Sequence, residues 1–513
     1  MTAGDGRPGP VIAVVGAGIA GLAAAWELVN ASDLAPGSRP PTVVVLDADE
    51  RVGGKLASAE FAGRTVDLAA DAFLARRPEA TQLCEELGIV DELVPVGASG
   101  ASILARGRLR PMPSGLALGV PTRWWPLVRS GLLSPLESLR VAKDLVIPHF
   151  SGGAIGDRTV AGIVGDRLGR PVVERLVDPL IGGINAGGVD ELSAAATFPA
   201  LIAASHQAGS FMRALGRLPA PDTEGPVFWS LRQGTASLVE RLVERLLEPG
   251  ARWDVSVRTG VSVDAVTRLP GSATDPPRWG LTLGPGGTGS SPVTVGAEGD
   301  LQVDGVILAV PAPRAAVLLA PHAPAAAGLL SPIEYASVGV VTLAVPSDAI
   351  GRRLDGTGFL VPRTSFLDSR PALMTGCTYL SRKWPHLATV GNELIRVSVG
   401  RDGDERFLEL DDAELTAAVF SELAGVLEIK GGPSDARVTR WVDAFPQYRV
   451  GHLVRVARIE EVVSDLPAVA VAGATYRGVG IPACIGSGRS AARAVLSSLT
   501  GSGRSAGSAG SAP

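Results

Sequence analysis

Gly16, Gly18 and Gly21 stand in the run VIAVVGAGIAGLAAAWEL (11–28), and each serves a different part of the chemistry their spacing allows. The first permits a tight turn, the second lets the backbone approach a pyrophosphate, and the third lets a helix pack closely on the preceding strand. Free N–H groups in the first turn of that helix then face the phosphates. Asp47 ends the next apolar run, TVVVL, where it can accept hydrogen bonds from an adenosine ribose. Strand, glycine turn, helix, strand and acid therefore follow in the order that dinucleotide binding requires. A βαβ unit without a ligand is the plainer alternative. The spacing from Gly21 to Asp47 exceeds the usual ~20 residues. The excess falls in residues 30–41, a Pro/Ser/Gly-rich stretch that reads as an enlarged loop away from the site.

The residues after the acid indicate which dinucleotide is bound. Arg51, Gly53, Gly54 and Lys55 follow directly, and this RxGG pattern resembles flavoproteins of the amine oxidase and porphyrinogen oxidase superfamily more than nicotinamide dehydrogenases. A second glycine pair gives the backbone room beside a pyrophosphate, and a nearby cation offsets its charge. The implied cofactor is FAD.

The elements that must position these residues are scattered along 513 residues, enough for two or more domains. A net charge of −5 argues against a nucleic-acid partner. No run approaches the roughly 18 apolar residues of a spanning helix. The N-terminal MTAGDGRPGP shows no basic segment followed by an apolar core, so a cytoplasmic location is expected. Cys84, Cys377 and Cys484 are far apart and read as reduced structural thiols, and five scattered histidines predict no metal. Lysine is confined to Lys55, Lys143, Lys383 and Lys430 while arginine is abundant, a compositional bias under which most arginines need no functional reading. TASLVERLVERLLEPG (235–250) reads as an amphipathic helix, LQVDGVILAVPAPRAAVLL (301–319) as strand, Pro turn and helix, and residues 468–499 as strand, glycine loop and terminal helix. Residues 100–225 read as largely helical, and 270–300 as a hairpin with long turns. An α/β fold is expected, with a nucleotide-binding domain in three parts (1–98, 226–320 and 459–500). A helical substrate subdomain (99–225), a mixed α+β substrate-binding domain (321–458) and a disordered tail (501–513) complete the expected arrangement.

Three further stretches resemble the oxygen-dependent porphyrinogen oxidases, flavoproteins that oxidise protoporphyrinogen IX or coproporphyrinogen III. They are VDLAADAFLARRPEA (66–80), DPLIGGINAGGVDELSAAATFPAL (178–201) and AGATYRGVGIPACIGSGRSAA (472–492). The resemblance spans about residues 11–497. It implies a Rossmann-like FAD-binding domain and a helical, membrane-domain-like subdomain at 99–225. It also implies FAD contacts at Gly16, Ala17, Gly18, Ile19, Ala20 and Gly21 on the pyrophosphate, and at Asp47 and Ala48 on the adenosine. Further contacts are implied at Lys55 on the far side, at Ala69, Ala70, Asp71 and Ala72 towards the flavin, and at Val263 near the adenine. Trp384 is implied beside the cofactor, and Val479, Gly480 and Ile481 at the start of the last helix, whose dipole favours an anionic flavin. Val263 reads equally as a core strand valine, Trp384 as a packing residue and Lys55 as a solvated loop lysine.

In a porphyrinogen, loss of hydride from a bridging methylene leaves a cation delocalised over two pyrroles, and a pyrrole N–H then gives up a proton. The cofactor carries the hard step and the protein positions and desolvates, so no acid–base pair need stand out. Asn185 is the candidate for a polar contact with the central pyrroles, at a position where the chain departs from its relatives, which often carry an aromatic there; a left-handed turn residue is the other reading. Propionates call for guanidinium forks. Arg106, Arg108 and Arg110, with Arg123 and Arg129, lie in the expected substrate subdomain, while a substrate arginine of the eukaryotic enzymes maps near Ser102. Coproporphyrinogen III has four propionates and protoporphyrinogen IX two, so the former suits an arginine-lined cavity better. The expected activity is oxidation of coproporphyrinogen III to coproporphyrin III with O2, giving H2O2, in haem biosynthesis. Protoporphyrinogen IX oxidation, amine oxidation and a non-catalytic flavin or porphyrin carrier are alternatives. A transient contact with a ferrochelatase is an implied partnership.

Overall fold

Val11–Val15 (β1) and Thr42–Leu46 (β2) are unbroken apolar runs because both faces of each are covered. Ile12, Val14, Val43 and Val45 face one apolar layer, and Ala13, Val15, Val44 and Leu46 face the other. The computed structural model describes residues 9–30, 41–146, 156–217, 225–251, 253–270, 278–284, 300–367 and 369–501. The enlarged loop expected at 30–41 lies almost wholly outside these residues, as do the turns expected within 270–300 and the tail from 502. β1 and β2 belong to a five-stranded parallel sheet in the order Asp254–Arg258, β2, β1, Gly305–Leu308, Val469–Val471. Three distant parts of the chain thus close one sheet. Within 270–300, Arg278–Leu283 forms the middle strand of a separate three-stranded antiparallel sheet, between Val263–Leu269 and Asp300–Val303.

The helix Ile19–Asn30 (α1) runs back along one face of the parallel sheet, beneath the C-terminal helix Ile481–Leu499. Small residues decide this contact: a Cβ at Gly488 would lie 2.0 Å from the Ala20 carbonyl oxygen. The Ala/Gly-rich composition of both helices therefore reflects a close backbone approach.

The second large sheet has seven strands, in the order Asp435–Pro446, Tyr335–Pro346, Asn392–Val399, Met374–Tyr379, Gly358–Leu360, Ser102–Ala105, Arg108–Pro111. Its pairings are antiparallel except between Gly358–Leu360 and Ser102–Ala105. Val341, Leu343, Ile395, Val397 and Val399 line one face, under the helix Asp412–Leu427. That helix starts at a capping box, with Asp411 accepting from Glu414 N–H (2.8 Å) and Glu414 accepting from Asp411 N–H (3.1 Å). The stretch expected to be helical from about residue 100 opens instead with the hairpin Ser102–Ala105/Arg108–Pro111 at the sheet edge. Its helices follow, including Trp124–Ser130, Pro135–Val146, Val160–Leu168 and Phe211–Gly216. Among them Val173–Gly182 winds as a π-helix around Pro179, whose missing N–H disrupts ordinary helical bonding. Ile103, on the inner edge of the hairpin, joins the apolar cluster of these helices.

Candidate cofactor and substrate site

At the carboxyl end of β1 the three glycines divide the work by clearance. A Cβ at Gly16, where φ is +105°, would lie 2.5 Å from the Ala309 carbonyl oxygen, and one at Gly21 would lie 1.9 Å from that of Gly16. Above Gly18 nothing lies within 4 Å of the same position. Gly16 and Gly21 are therefore closed against protein, while Gly18 is open at the mouth of the turn. Ala17 is wholly buried, and its N–H donates to Asp47 Oδ2 at 2.5 Å. Ile19 and Ala20 retain only a thin rim of accessible surface. Ala17 and Gly21 thus build the turn from within.

Asp47 is half-buried and takes a second N–H, from Asp49, at 2.9 Å. Burial raises its pKa, and the two N–H donors oppose that rise. Ala48 beside it is exposed. Arg51 turns its guanidinium onto the carbonyls of Val52 (2.8 Å), Gly54 (2.5 Å) and Leu56 (3.0 Å), so it holds the glycine turn in shape from within. Gly53 forms an isolated parallel bridge with Gly18, which brings the two glycine turns together. The Lys55 side chain is solvent-accessible yet ringed by protein. Desolvation lowers its pKa, and the Cys484 thiol and Asp49 act in the opposite direction. Burial pushes Cys484 up to about 11, against the pull of Lys55. The two side chains are thus neighbours, and the start of the C-terminal helix lies near the second glycine turn.

Two features fit the pyrophosphate and adenosine of FAD. The first turn of α1 carries no acid, and the C-terminal helix begins at Gly480 without a side-chain cap. Arg258, paired with Leu46 at the same end of the parallel sheet, has Nε and Nη2 buried without a partner among the described residues. Sequence reasoning missed Arg258, because nothing separates it from the many other arginines. Val263 is 3% exposed and its carbonyl accepts from Arg314 at 2.5 Å, which makes it a core strand residue with little surface for an adenine.

Towards the flavin end, Asp71 is buried between Lys383 (2.9 Å), Arg396 (3.1 Å) and the indole N–H of Trp384 (2.9 Å). Burial alone would raise its carboxyl. Arg396, Lys383 and the Trp384 N–H outweigh that effect and hold it well below the usual carboxylate range. Arg396 also donates to the Ala69 carbonyl (2.9 Å), and Trp441 to that of Leu68 (3.0 Å). The polar face of the seven-stranded sheet therefore fixes residues 68–71. Here the side chain of Asp71 anchors its loop, and Trp384, 1% exposed, packs with Phe61, Val66 and Leu394, as its packing reading expects. Ala70 is exposed, and Ala69 and Ala72 are half-buried. A second buried acid, Asp67, accepts from Ser58 (2.7 Å) and from the Thr235 N–H (2.6 Å), and the one proton of the Thr235 hydroxyl is shared between Asp67 (2.9 Å) and the Ala70 carbonyl (3.0 Å). Burial pushes Asp67 up to about 6 in spite of these bonds. Val479 is half-buried, Gly480 exposed and Ile481 buried at the C-terminal turn.

On the substrate side, Asn185 ends the short helix after the π-helix. Its Nδ2 donates to the Ile181 carbonyl at 2.8 Å, and the left-handed residue is Ala186 (φ 49°), against the turn reading of Asn185. Its Oδ1 has no partner among the described residues. Arg106 takes a left-handed φ of 55° at the hairpin tip, and Arg106, Arg108, Arg123 and Arg129 are exposed. Arg110 differs: it is half-buried on the face of Ile103, its Nε has no partner among the described residues, and it would lie 2.6 Å from a Cβ at Gly131.

Residues 19–496 match the family described as flavin containing amine oxidoreductase. The chain belongs to that family. It is 31% identical over 489 residues to coproporphyrinogen III oxidase of Bacillus subtilis (strain 168), covering 95% of this chain and 98% of that protein. It is 34% identical over 535 residues to coproporphyrinogen III oxidase of Propionibacterium freudenreichii subsp. freudenreichii, covering 96% and 93%. A solved structure from Exiguobacterium sp. 255-15, provisionally named a protoporphyrinogen oxidase, superposes with a TM-score of 0.79 at 30% identity, over 96% of this chain and all of that one. The cofactor of this flavoprotein is FAD. No helix among the described residues is long and apolar enough to cross a membrane.

Proposed function

We propose that the chain is an FAD-dependent oxidase that converts coproporphyrinogen III to coproporphyrin III in haem biosynthesis, with O2 as acceptor and H2O2 as by-product. Similarity to coproporphyrinogen III oxidases over nearly the whole chain carries the reading. The open Gly18 and the uncapped helix start at Gly480 support it. When bound, FAD supplies a hydride acceptor and passes the electrons to O2. Gly18, Ile19 and Ala20 would line the pyrophosphate, Asp47 and Ala48 the ribose, and Lys55 the opposite wall. The loop 68–72, held by Asp71, would shape the flavin end together with Val479 and Gly480. Asn185 would offer Oδ1 to a pyrrole N–H, and Arg110 its unpartnered Nε to a propionate. Conversion removes six hydrogens as three hydride–proton pairs, so three O2 are reduced for each porphyrin formed. The bridging carbon's charge is spread over two pyrroles, so orientation and exclusion of water are what the protein must add. The reading places the reaction in the cytoplasm and passes the product on by a transient contact with a ferrochelatase.

Protoporphyrinogen IX oxidation is the second reading, favoured by the name of the Exiguobacterium structure. The test offers the purified yellow protein each porphyrinogen in air and compares kcat/KM from porphyrin fluorescence. Faster turnover of the tetracarboxylate is expected. Preference for the dicarboxylate would reverse the assignment, and FAD binding without turnover of either would favour a carrier.

A further inference from the structure

Residues 447–452 lie between two loops that the proposed reaction needs in register. On one side, Gln447 Nε2 donates to the Asn185 carbonyl (3.1 Å), and the Tyr448 carbonyl accepts from the Ser193 N–H (2.7 Å). The Gly451 N–H donates to the Asp157 carboxylate (2.8 Å), which also receives the Ser193 hydroxyl. On the other side, the Tyr448 hydroxyl donates to the Ala474 carbonyl, and His452 Nε2 lies 2.9 Å from the Tyr476 carbonyl. A carbonyl only accepts, so the His452 proton sits on Nε2. Burial holds the ring below its ordinary pKa and therefore neutral, and Nδ1 has no partner among the described residues. The Tyr448 and His452 rings stack with centroids 4.0 Å apart and planes 16° from parallel, so each fixes the aim of the other. Tyr335 adds a third hold, with its hydroxyl 2.9 Å from Thr475 Oγ1. Residues 474–476 are thus gripped one after another from the core side, immediately before the Gly478–Gly480 turn into the C-terminal helix.

We propose that Tyr448 and His452 are positioning residues for the flavin. By holding the carbonyls of Ala474 and Tyr476 they set the height of the 478–481 turn, and through residues 447–451 they tie that turn to the Asn185 loop on the substrate side. The inference rests on the FAD reading above and adds to it a physical link between cofactor loop and substrate loop. Core packing alone would explain a stacked pair, but it would not require both polar atoms to point at the same loop.

Tyr448→Phe removes one hydroxyl and keeps the stack, His452→Leu removes the donor, and His452→Gln keeps an N–H that can reach the same carbonyl. The readouts are the FAD dissociation constant of the apoprotein, by quenching of flavin fluorescence, the visible flavin spectrum, and kcat apart from KM. Tyr448→Phe and His452→Leu are expected to weaken FAD binding by about tenfold, the loss of one buried hydrogen bond, to shift the flavin band and to lower kcat more than KM changes. His452→Gln is expected to recover most of each. Variants that bind FAD as the wild type does, with unchanged spectrum and kcat and only a lower melting temperature, overturn the proposal. If His452→Leu does not fold, Tyr448→Phe with wild-type circular dichroism decides alone. Wild-type protein that fails to bind FAD would refute the parent reading, a result distinct from unaffected variants.

Discussion

Asp71 and Asp67 are near neighbours in sequence and are buried alike, yet their surroundings drive them in opposite directions. Asp71 faces Lys383 and Arg396, so its folded pKa lies below the unfolded value, and the stability it contributes is complete above about pH 4 and is lost as pH falls further. Asp71→Asn leaves two buried cations facing a neutral amide. It should cost on the order of 3–5 kcal/mol, release part of the FAD by loosening residues 68–71, and flatten the acid limb of the stability curve. Thermal melting from pH 3 to 7 with flavin content measured alongside would show this; a melting point within a degree or two of wild type would contradict the anchor role. Asp67 has hydroxyl and N–H donors but no cation beside it among the described residues, and its pKa rises to about 6. For a group raised in the folded state the sign is reversed: stability declines as pH climbs from about 4 to 6, by roughly 3 kcal/mol. Asp67→Asn should remove that decline. Urea unfolding of the apoprotein at pH 4.5 and 7 measures it, and equal slopes in variant and wild type would refute the assignment.

At the scale of elements, the contact of α1 with the C-terminal helix holds both ends of the nucleotide-binding domain together. Gly488→Val would drive a side chain into the Ala20 carbonyl and push the helices apart. A loss of about 1–3 kcal/mol or more is expected, with lower FAD affinity because both helix N-termini move. Melting and flavin binding check this, and an unchanged variant would show that the helices can slide without consequence. These elements were legible in sequence for a local reason: strand, glycine turn and helix lie within twenty residues of one another, and close backbone approach leaves a glycine signature. The anchors of the flavin-side loop were not. Asp71 meets Lys383, Trp384 and Arg396 only because a long sheet folds back across residues far away in the chain, and no local spacing records such a meeting. Trp384 accordingly carried both a cofactor and a packing reading and is found in the core, although the rarity of lysine did leave Lys383 as a signal. The hairpin that opens the helical region was hidden by its brevity. Arg106 and Arg108 fall at its exposed tip, and only Arg110 keeps a partly buried, unpartnered nitrogen.

For the whole molecule, three distant chain segments close one parallel sheet, and a seven-stranded sheet with a helical layer at its edge makes up the rest of the described fold. The division of labour follows from the chemistry. On the proposed reading FAD would supply the hydride acceptor, the porphyrinogen would disperse its own charge, and the chain's part would be fixed distances, in keeping with buried polar groups such as Asp71 and Asp67 that hold loops in place. The most direct test of this account is the ratio of H2O2 to coproporphyrin III formed from coproporphyrinogen III in air by the FAD-loaded protein. The account predicts three peroxides per porphyrin, at a rate proportional to enzyme. Porphyrin formation no faster than spontaneous autoxidation, with FAD demonstrably bound, would contradict it.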